Sequence, residues 1–84
     1  MKEIKIGKVS KYFVHPEVAA IELEGAVKVG DTIHIKGHTT DFEQEIESME
    51  IENEPVKEAK PGDSIGVKVK ERVRLHDLVY KVLE

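Results

Sequence analysis

Residues 62–66, GDSIG, fit the Gly-x-Ser-x-Gly pattern that presents a nucleophilic serine in many hydrolases. Such a serine needs a strand before it, a helix after it, and an acid and a histidine further along the chain. Here a Pro-Gly turn precedes Ser64 and alternating β-branched residues follow it. We therefore interpret Ser64 as a turn or strand-start residue, and we predict that the chain is not an enzyme.

His34, His38 and Asp41 form a second group with chemical potential, because zinc and related metals use imidazole and carboxylate ligands. No regular repeat brings them together, since His34 falls on the outward face of a predicted strand and His38 in the following loop. Short motifs of this kind are common by chance. Glycine-rich phosphate loops are absent from the sequence. We expect no metal, no cofactor and no bound nucleotide.

Basic residues recur at every second position near the C-terminus, at Lys68, Lys70, Arg72 and Arg74. On an extended strand this spacing places them on one face, about 7 Å apart, where they can follow a phosphate backbone. The solvent face of an amphipathic strand has the same pattern. Aromatic side chains that stack on bases are scarce. RNA contact through this row is one hypothesis for the function.

Charge is segregated along the chain, whose formal net charge is −4. Residues 41–58 carry eight acids and one lysine, whereas the rest carries nine acids and twelve bases. A negative total argues against a nucleic-acid binder, and the simplest explanation of the acidic run is a solvated surface. The second hypothesis is a protein-interaction face that includes Glu45, Glu47 and Glu50.

Length and composition limit the class of protein. A chain of 84 residues predicts one domain, 1–84, and the absence of Cys excludes disulfides. The first residues are charged, and no apolar run approaches the ~20 residues of a membrane span. We expect a cytoplasmic protein without a membrane partner. The abundance of Lys and Glu favours a thermophilic source.

Short alternating runs of Val, Ile and Lys, separated by Gly, Pro and Asp, predict an all-β domain of about six strands, arranged as a small sandwich or barrel. Residues 42–52 are ambiguous, because Phe42, Ile46 and Met49 have helical spacing while the neighbouring runs favour a strand with a bulge. A bulge is also expected at Gly7. The remaining strands are predicted at 4–13, 18–23, 32–36, 64–75 and 78–83, with a turn at 15–17.

Two stretches repeat one pattern, KVGDTIHIK at 28–36 and KPGDSIGVK at 60–68. We interpret each as a Gly-Asp turn that begins a strand with inward-facing Ile and Val residues. Two copies are too few for a solenoid array. The repeat therefore indicates one structural device used twice.

The same stretches resemble domain 2 of translational GTPases such as elongation factor Tu. Gly25, Val27, Lys28, Gly30 and Asp31 match the family pattern before one strand, and a second pattern is matched at Ala59, Gly62, Asp63, Ile65 and Gly66. The resemblance implies a small closed or nearly closed antiparallel β-barrel. It also favours a strand with a bulge at 42–52. The GTPase domain of that family is missing from the sequence.

The resemblance implies a non-catalytic, elongation factor-like module that contacts tRNA, ribosomal RNA or a translation factor. In that family the barrel helps to hold the aminoacyl end of tRNA, and the corresponding positions are Glu50, Ser64 and Lys70. Similar barrels also occur at the C-terminus of collagenase-like peptidase-family proteins. The alternative is therefore a protein-interaction domain that binds a separately encoded enzyme of that kind.

Overall fold

Residues 2–83, the part of the chain that the computed structural model describes, contain ten β-strands joined by turns and irregular segments, and no helix. No helix within this range could cross a membrane. The strands are β1 Lys2–Phe13, β2 Val18–Leu23, β3 Val27–Lys28, β4 Thr32–Lys36, β5 Asp41–Glu45, β6 Met49–Ile51, β7 Glu54–Val56, β8 Glu58–Ala59, β9 Ser64–Lys68 and β10 Leu78–Leu83.

Eight of the strands form one antiparallel sheet in the order β5-β4-β10-β1-β2-β9-β6-β7, and β3 pairs with β8 in a small second sheet. The C-terminal strand β10 lies between β1 and β4. Within residues 2–83, backbone pairing does not join the two edge strands β5 and β7. The all-β prediction is confirmed. The strands number ten rather than about six, and closure into a barrel is not confirmed.

Alternating strand residues supply the core, as their spacing predicts. Ile33 and Ile35 on β4 and Ile65 and Val67 on β9 are at most 2% exposed. Their neighbours in sequence point outward, because successive side chains of a strand face opposite sides of the sheet. The other fully buried large side chains are Ile6, Val9, Ile21, Ile46, Met49, Val73 and Val79.

The first strand contains the predicted bulge, since the pairing of β1 with β10 shifts between Lys5 and Gly7. Ile6 is the additional residue, and its side chain is 1% exposed. Its carbonyl oxygen accepts hydrogen bonds from the backbone N–H groups of Glu24 and Gly25, at 2.7 and 3.2 Å. Ile4, in contrast, remains 46% exposed and is not a core residue.

Residues 42–52 contain strand residues of β5 and β6 and no helix, which agrees with the strand that the resemblance implied. Strand β5 pairs with β4, whereas β6 pairs with β7 and β9, so the chain changes neighbours between them. Ile46 lies at the break and is 1% exposed. Its backbone N–H and C=O bond to Asp31 and Gly30, each at 2.9 Å. The break is therefore a switch between strand partners, which is more than the single bulge expected.

The strand predicted at 64–75 ends at Lys68. The backbone N–H of Val69 then donates to the carbonyl of Glu17 at 3.0 Å instead of continuing the ladder. Val69 and Val73 are buried in the irregular segment that follows. The prediction of one long strand is wrong, because this apolar alternation serves to anchor a loop on the core.

One turn design occurs three times, at 28–31, 60–63 and 74–77. In each, the final aspartate accepts a hydrogen bond from the first residue's backbone N–H, at 2.9, 3.0 and 2.9 Å. The third residue has positive φ, namely Gly30, Gly62 and His76 at 100°, 96° and 73°. Strands β4, β9 and β10 begin just after these turns. The first two copies are the predicted repeat; the third was missed because His76 replaces glycine.

Candidate functional site

The predicted basic row does not lie on one strand face. Lys68 is the last residue of β9, and the other three cations lie in the irregular segment after it, at Lys70, Arg72 and Arg74. The residues are exposed, while Val69 and Val73 between them are buried. The expected even spacing along a strand is therefore wrong.

The side chain of Gln44 holds the beginning of this segment against β5. Its Nε2 donates to the carbonyl of Lys68, and its Oε1 accepts from the backbone N–H of Lys70, both at 2.9 Å. One amide side chain thus forms the pair of hydrogen bonds that a neighbouring strand's backbone would otherwise form between β5 and the chain beyond β9. No feature of the sequence marked Gln44, because its role depends on where residues 68–70 pass.

A groove of about 420 Å³ lies along this contact. The groove is lined by residues of both predicted interaction surfaces. Glu45 and Glu47 come from the acidic run, and Lys68 and Lys70 come from the basic row. Glu17, which the sequence did not indicate, is a third acid in the groove. A phosphate backbone placed here would face three carboxylates as well as two ammonium groups, so the groove suits a mixed-charge partner better than a polyanion. Its other lining residues are Gln44, Ser48 and Val69.

Glu50 and Ser64 lie outside this groove. Glu50 is exposed on β6, where it pairs with Pro55 and with Gly66 of β9. Ser64 is exposed and pairs with Glu22 of β2. No helix follows Ser64 within the described residues, so the nucleophile-elbow geometry that was rejected from the sequence is not formed.

His34 is held between two carboxylates on the outward side of the sheet. Its Nδ1 lies 2.6 Å from Oε2 of Glu3, and its Nε2 lies 2.5 Å from Oδ1 of Asp41. The sequence had grouped His34 and Asp41 with His38. His38 instead lies exposed in the loop between β4 and β5, and Glu3, distant in sequence, takes its place.

These contacts favour the doubly protonated imidazolium. The hydrogen bond with Asp41 raises the pKa of His34 above its ordinary value of 6.5, burial opposes this increase, and Glu3 adds to it. The same hydrogen bond lowers the pKa of the exposed Asp41 carboxyl. Both ring nitrogens then act as donors to carboxylate oxygens.

We expect Asp41→Asn to lower the pKa of His34 in an NMR titration of the ring protons performed in EDTA. A raised folded pKa stabilises the fold fully below the unfolded value of about 6.5, and this contribution is lost as pH rises through the folded pKa. The free energy of unfolding of the parent relative to His34→Gln should therefore decrease over that interval. Glu47→Gln, which changes a distant acid, is the control. A His34 pKa at or below 6.5 would contradict the prediction.

This architecture matches that of a known protein family. A family model described as elongation factor Tu domain 2 matches residues 22–72, which include both Gly-Asp turns and the strands that follow them. This match covers more than half of the chain. The chain belongs to the elongation factor Tu domain 2 family. The family resemblance is confirmed for the domain.

Relatives of this elongation factor Tu domain 2 member carry protease names. An uncharacterized protease of Methanocaldococcus jannaschii is 42% identical over 84 residues, which cover 99% of this chain and 21% of that protein. A collagenase of Porphyromonas gingivalis is 39% identical over 82 residues, which cover 95% of this chain and 20% of that protein. The chain thus spans about a fifth of the length of these curated relatives. They give no support to a role in translation.

A solved structure shares the fold. The C-terminal domain of a Geobacillus thermoleovorans protein assigned to the U32 peptidases superposes with a TM-score of 0.87. The alignment covers 93% of this chain and 91% of that domain at 22% identity. At this identity the likeness describes the fold alone. It shows that this elongation factor Tu domain 2 architecture also occurs as a C-terminal domain.

Proposed function

We propose that this chain is a non-catalytic accessory domain that binds the peptidase portion of a U32-type, collagenase-like protein. The observation that carries the proposal is the match of nearly the whole chain to one fifth of two proteins with protease names. The match leaves about four fifths of those proteins to hold the peptidase portion. This match supports the protein-interaction hypothesis rather than the hypothesis of RNA contact.

The groove beside Gln44 is the surface that we assign to this contact. It brings Glu45 and Glu47 within the same walls as Lys68 and Lys70. Complementary charges on a partner would set the orientation of docking, whereas a uniformly basic surface would be needed to attract nucleic acid. A partner segment with both charge signs fits this groove best.

The test uses the M. jannaschii relative with its matching fifth deleted, mixed with this domain. We expect a 1:1 complex by size-exclusion chromatography with light scattering. Glu45→Lys with Glu47→Lys should weaken it by at least about tenfold, since like charges would then face the partner. The control, Glu52→Lys with Glu54→Lys in the β6–β7 hairpin, makes the same change in net charge and should leave binding intact. If no complex formed, the proposal would be wrong. If both double variants lost binding to the same extent, the groove would not be the contact surface.

RNA contact is tested in the same preparation by fluorescence anisotropy with tRNA over a salt series. We expect no binding at physiological salt. The RNA hypothesis would instead be supported if binding weakened with salt and was abolished by the double substitution Lys70→Glu with Arg72→Glu.

A further inference from the structure

Four side chains from three strands meet on the outward face of the sheet, around the ring of His34. Glu3 belongs to β1, His34 to β4, and Asp41 and Glu43 to β5. One ring nitrogen of His34 and carboxylate oxygens of Glu3 and Glu43 lie within 4.8 Å of one another. The His34 side chain is 13% exposed, so the ring is held in the cluster rather than free in solvent.

Backbone pairing determines this arrangement. His34 is the direct cross-strand partner of Glu43, and directly opposed residues have Cβ atoms about 5 Å apart on the same face. Strand β10 separates β4 from β1, so Glu3 reaches His34 across it. Glutamate side chains have enough rotatable bonds to close the remaining distance, while the ring stays positioned by its neighbours.

The donor set is that of a transition-metal site. Zinc accepts imidazole nitrogen and carboxylate oxygen at about 2.0–2.2 Å, commonly from three protein ligands with a position left for solvent. Histidines that bind metals usually donate their other ring N–H to a carboxylate, which orients the ring. Asp41 already accepts from Nε2 at 2.5 Å. Three carboxylates around one imidazolium also leave an excess of negative charge that favours a cation.

We propose that Glu3, His34 and Glu43 bind a divalent transition-metal ion such as Zn²⁺, with Nδ1 as the imidazole ligand and Asp41 as the residue that orients the ring. The proton on Nδ1 leaves to solvent when the metal binds. This site is separate from the groove beside Gln44, and it does not depend on the proposed docking function. Its ligands come from three strands, so an occupied site cross-links β1, β4 and β5.

The experiment titrates ZnCl₂ into the chelator-stripped chain by isothermal calorimetry and repeats the titration with Co²⁺, whose visible absorption reports its coordination. We expect one equivalent to bind. The decisive variant is Glu43→Gln, because the described hydrogen bonds of His34 go to Glu3 and Asp41 and should survive this change. It should weaken binding at least tenfold. Asp41→Asn, which alters only the orienting residue, should weaken binding by about 10- to 100-fold.

The control is His38→Gln, which removes the nearby exposed histidine and should leave the affinity unchanged. A one-dimensional NMR spectrum is recorded for each variant and compared with that of the parent. Agreement between the two shows that a loss of binding does not come from a loss of the fold. The proposal is overturned by absence of saturable binding, by unchanged affinity in Glu43→Gln, or by an equal loss in His38→Gln. The second outcome would leave His34 with a purely hydrogen-bonding role.

Discussion

Gly7→Ala is expected to lower the free energy of unfolding by about 3 kcal/mol, in the upper range of overpacking effects. Gly7 is buried in the bulge of β1, and a methyl group on it would overlap the carbonyl oxygen of Glu22. It would also lie 3.1 Å from Cγ2 of Ile21, a core residue. Because the first obstacle is backbone, β1 and β2 must separate to accommodate it.

The matched control is Gly66→Ala in β9. There an added methyl group would meet only Cγ1 of Val18, at an ordinary contact distance of 3.4 Å. Alanine in a strand is more favourable than glycine by about 0.5–1 kcal/mol, so this variant should be neutral or slightly stabilised. Urea unfolding followed by circular dichroism measures both. Similar midpoints for the two variants would show that the bulge is not as tight as the structure indicates.

Asp77→Ala is expected to destabilise the fold by about 2–3 kcal/mol, through loss of a buried hydrogen-bond acceptor. Asp77 is 4% exposed, and its Oδ2 accepts from the backbone N–H of Arg74 at 2.9 Å. Its carboxylate packs so closely against Gly37 that a methyl group on that glycine would overlap Oδ1. The backbone of the same residue bonds to Val9 at 2.8 Å, so the turn anchors β1.

Asp63→Ala provides the comparison, because Asp63 makes the equivalent bond to Lys60 in a half-buried turn. Water can replace that acceptor, and the expected loss is about 1 kcal/mol. Asp77→Asn keeps an oxygen acceptor and should recover most of the stability lost in Asp77→Ala. Equal losses in the two alanine variants would mean that the burial of the third turn contributes nothing.

The sequence alone indicates part of the cluster around His34. The sequence groups His34 with Asp41, although it predicts no metal there, and a hairpin centred on the loop at 37–40 places Glu43 opposite His34. Glu3 was not within reach, because it approaches His34 only through the insertion of β10 between β1 and β4. Gln44 was missed for a similar reason. The Lys68–Lys70 segment that it holds leaves the sheet to bond with Glu17.

Local sequence patterns account for the all-β class, the inward faces of β4 and β9, the bulge at Gly7 and the two Gly-Asp turns among the three turns of this design. These features depend on side-chain alternation and on local backbone conformation, which neighbouring residues control. Three further features required the tertiary structure: the order of the strands, the end of β9 at Lys68 and the meeting of acidic and basic residues in one groove. Those outcomes depend on which distant segments satisfy the backbone hydrogen bonds of β5, β9 and β10, and no local pattern encodes that choice.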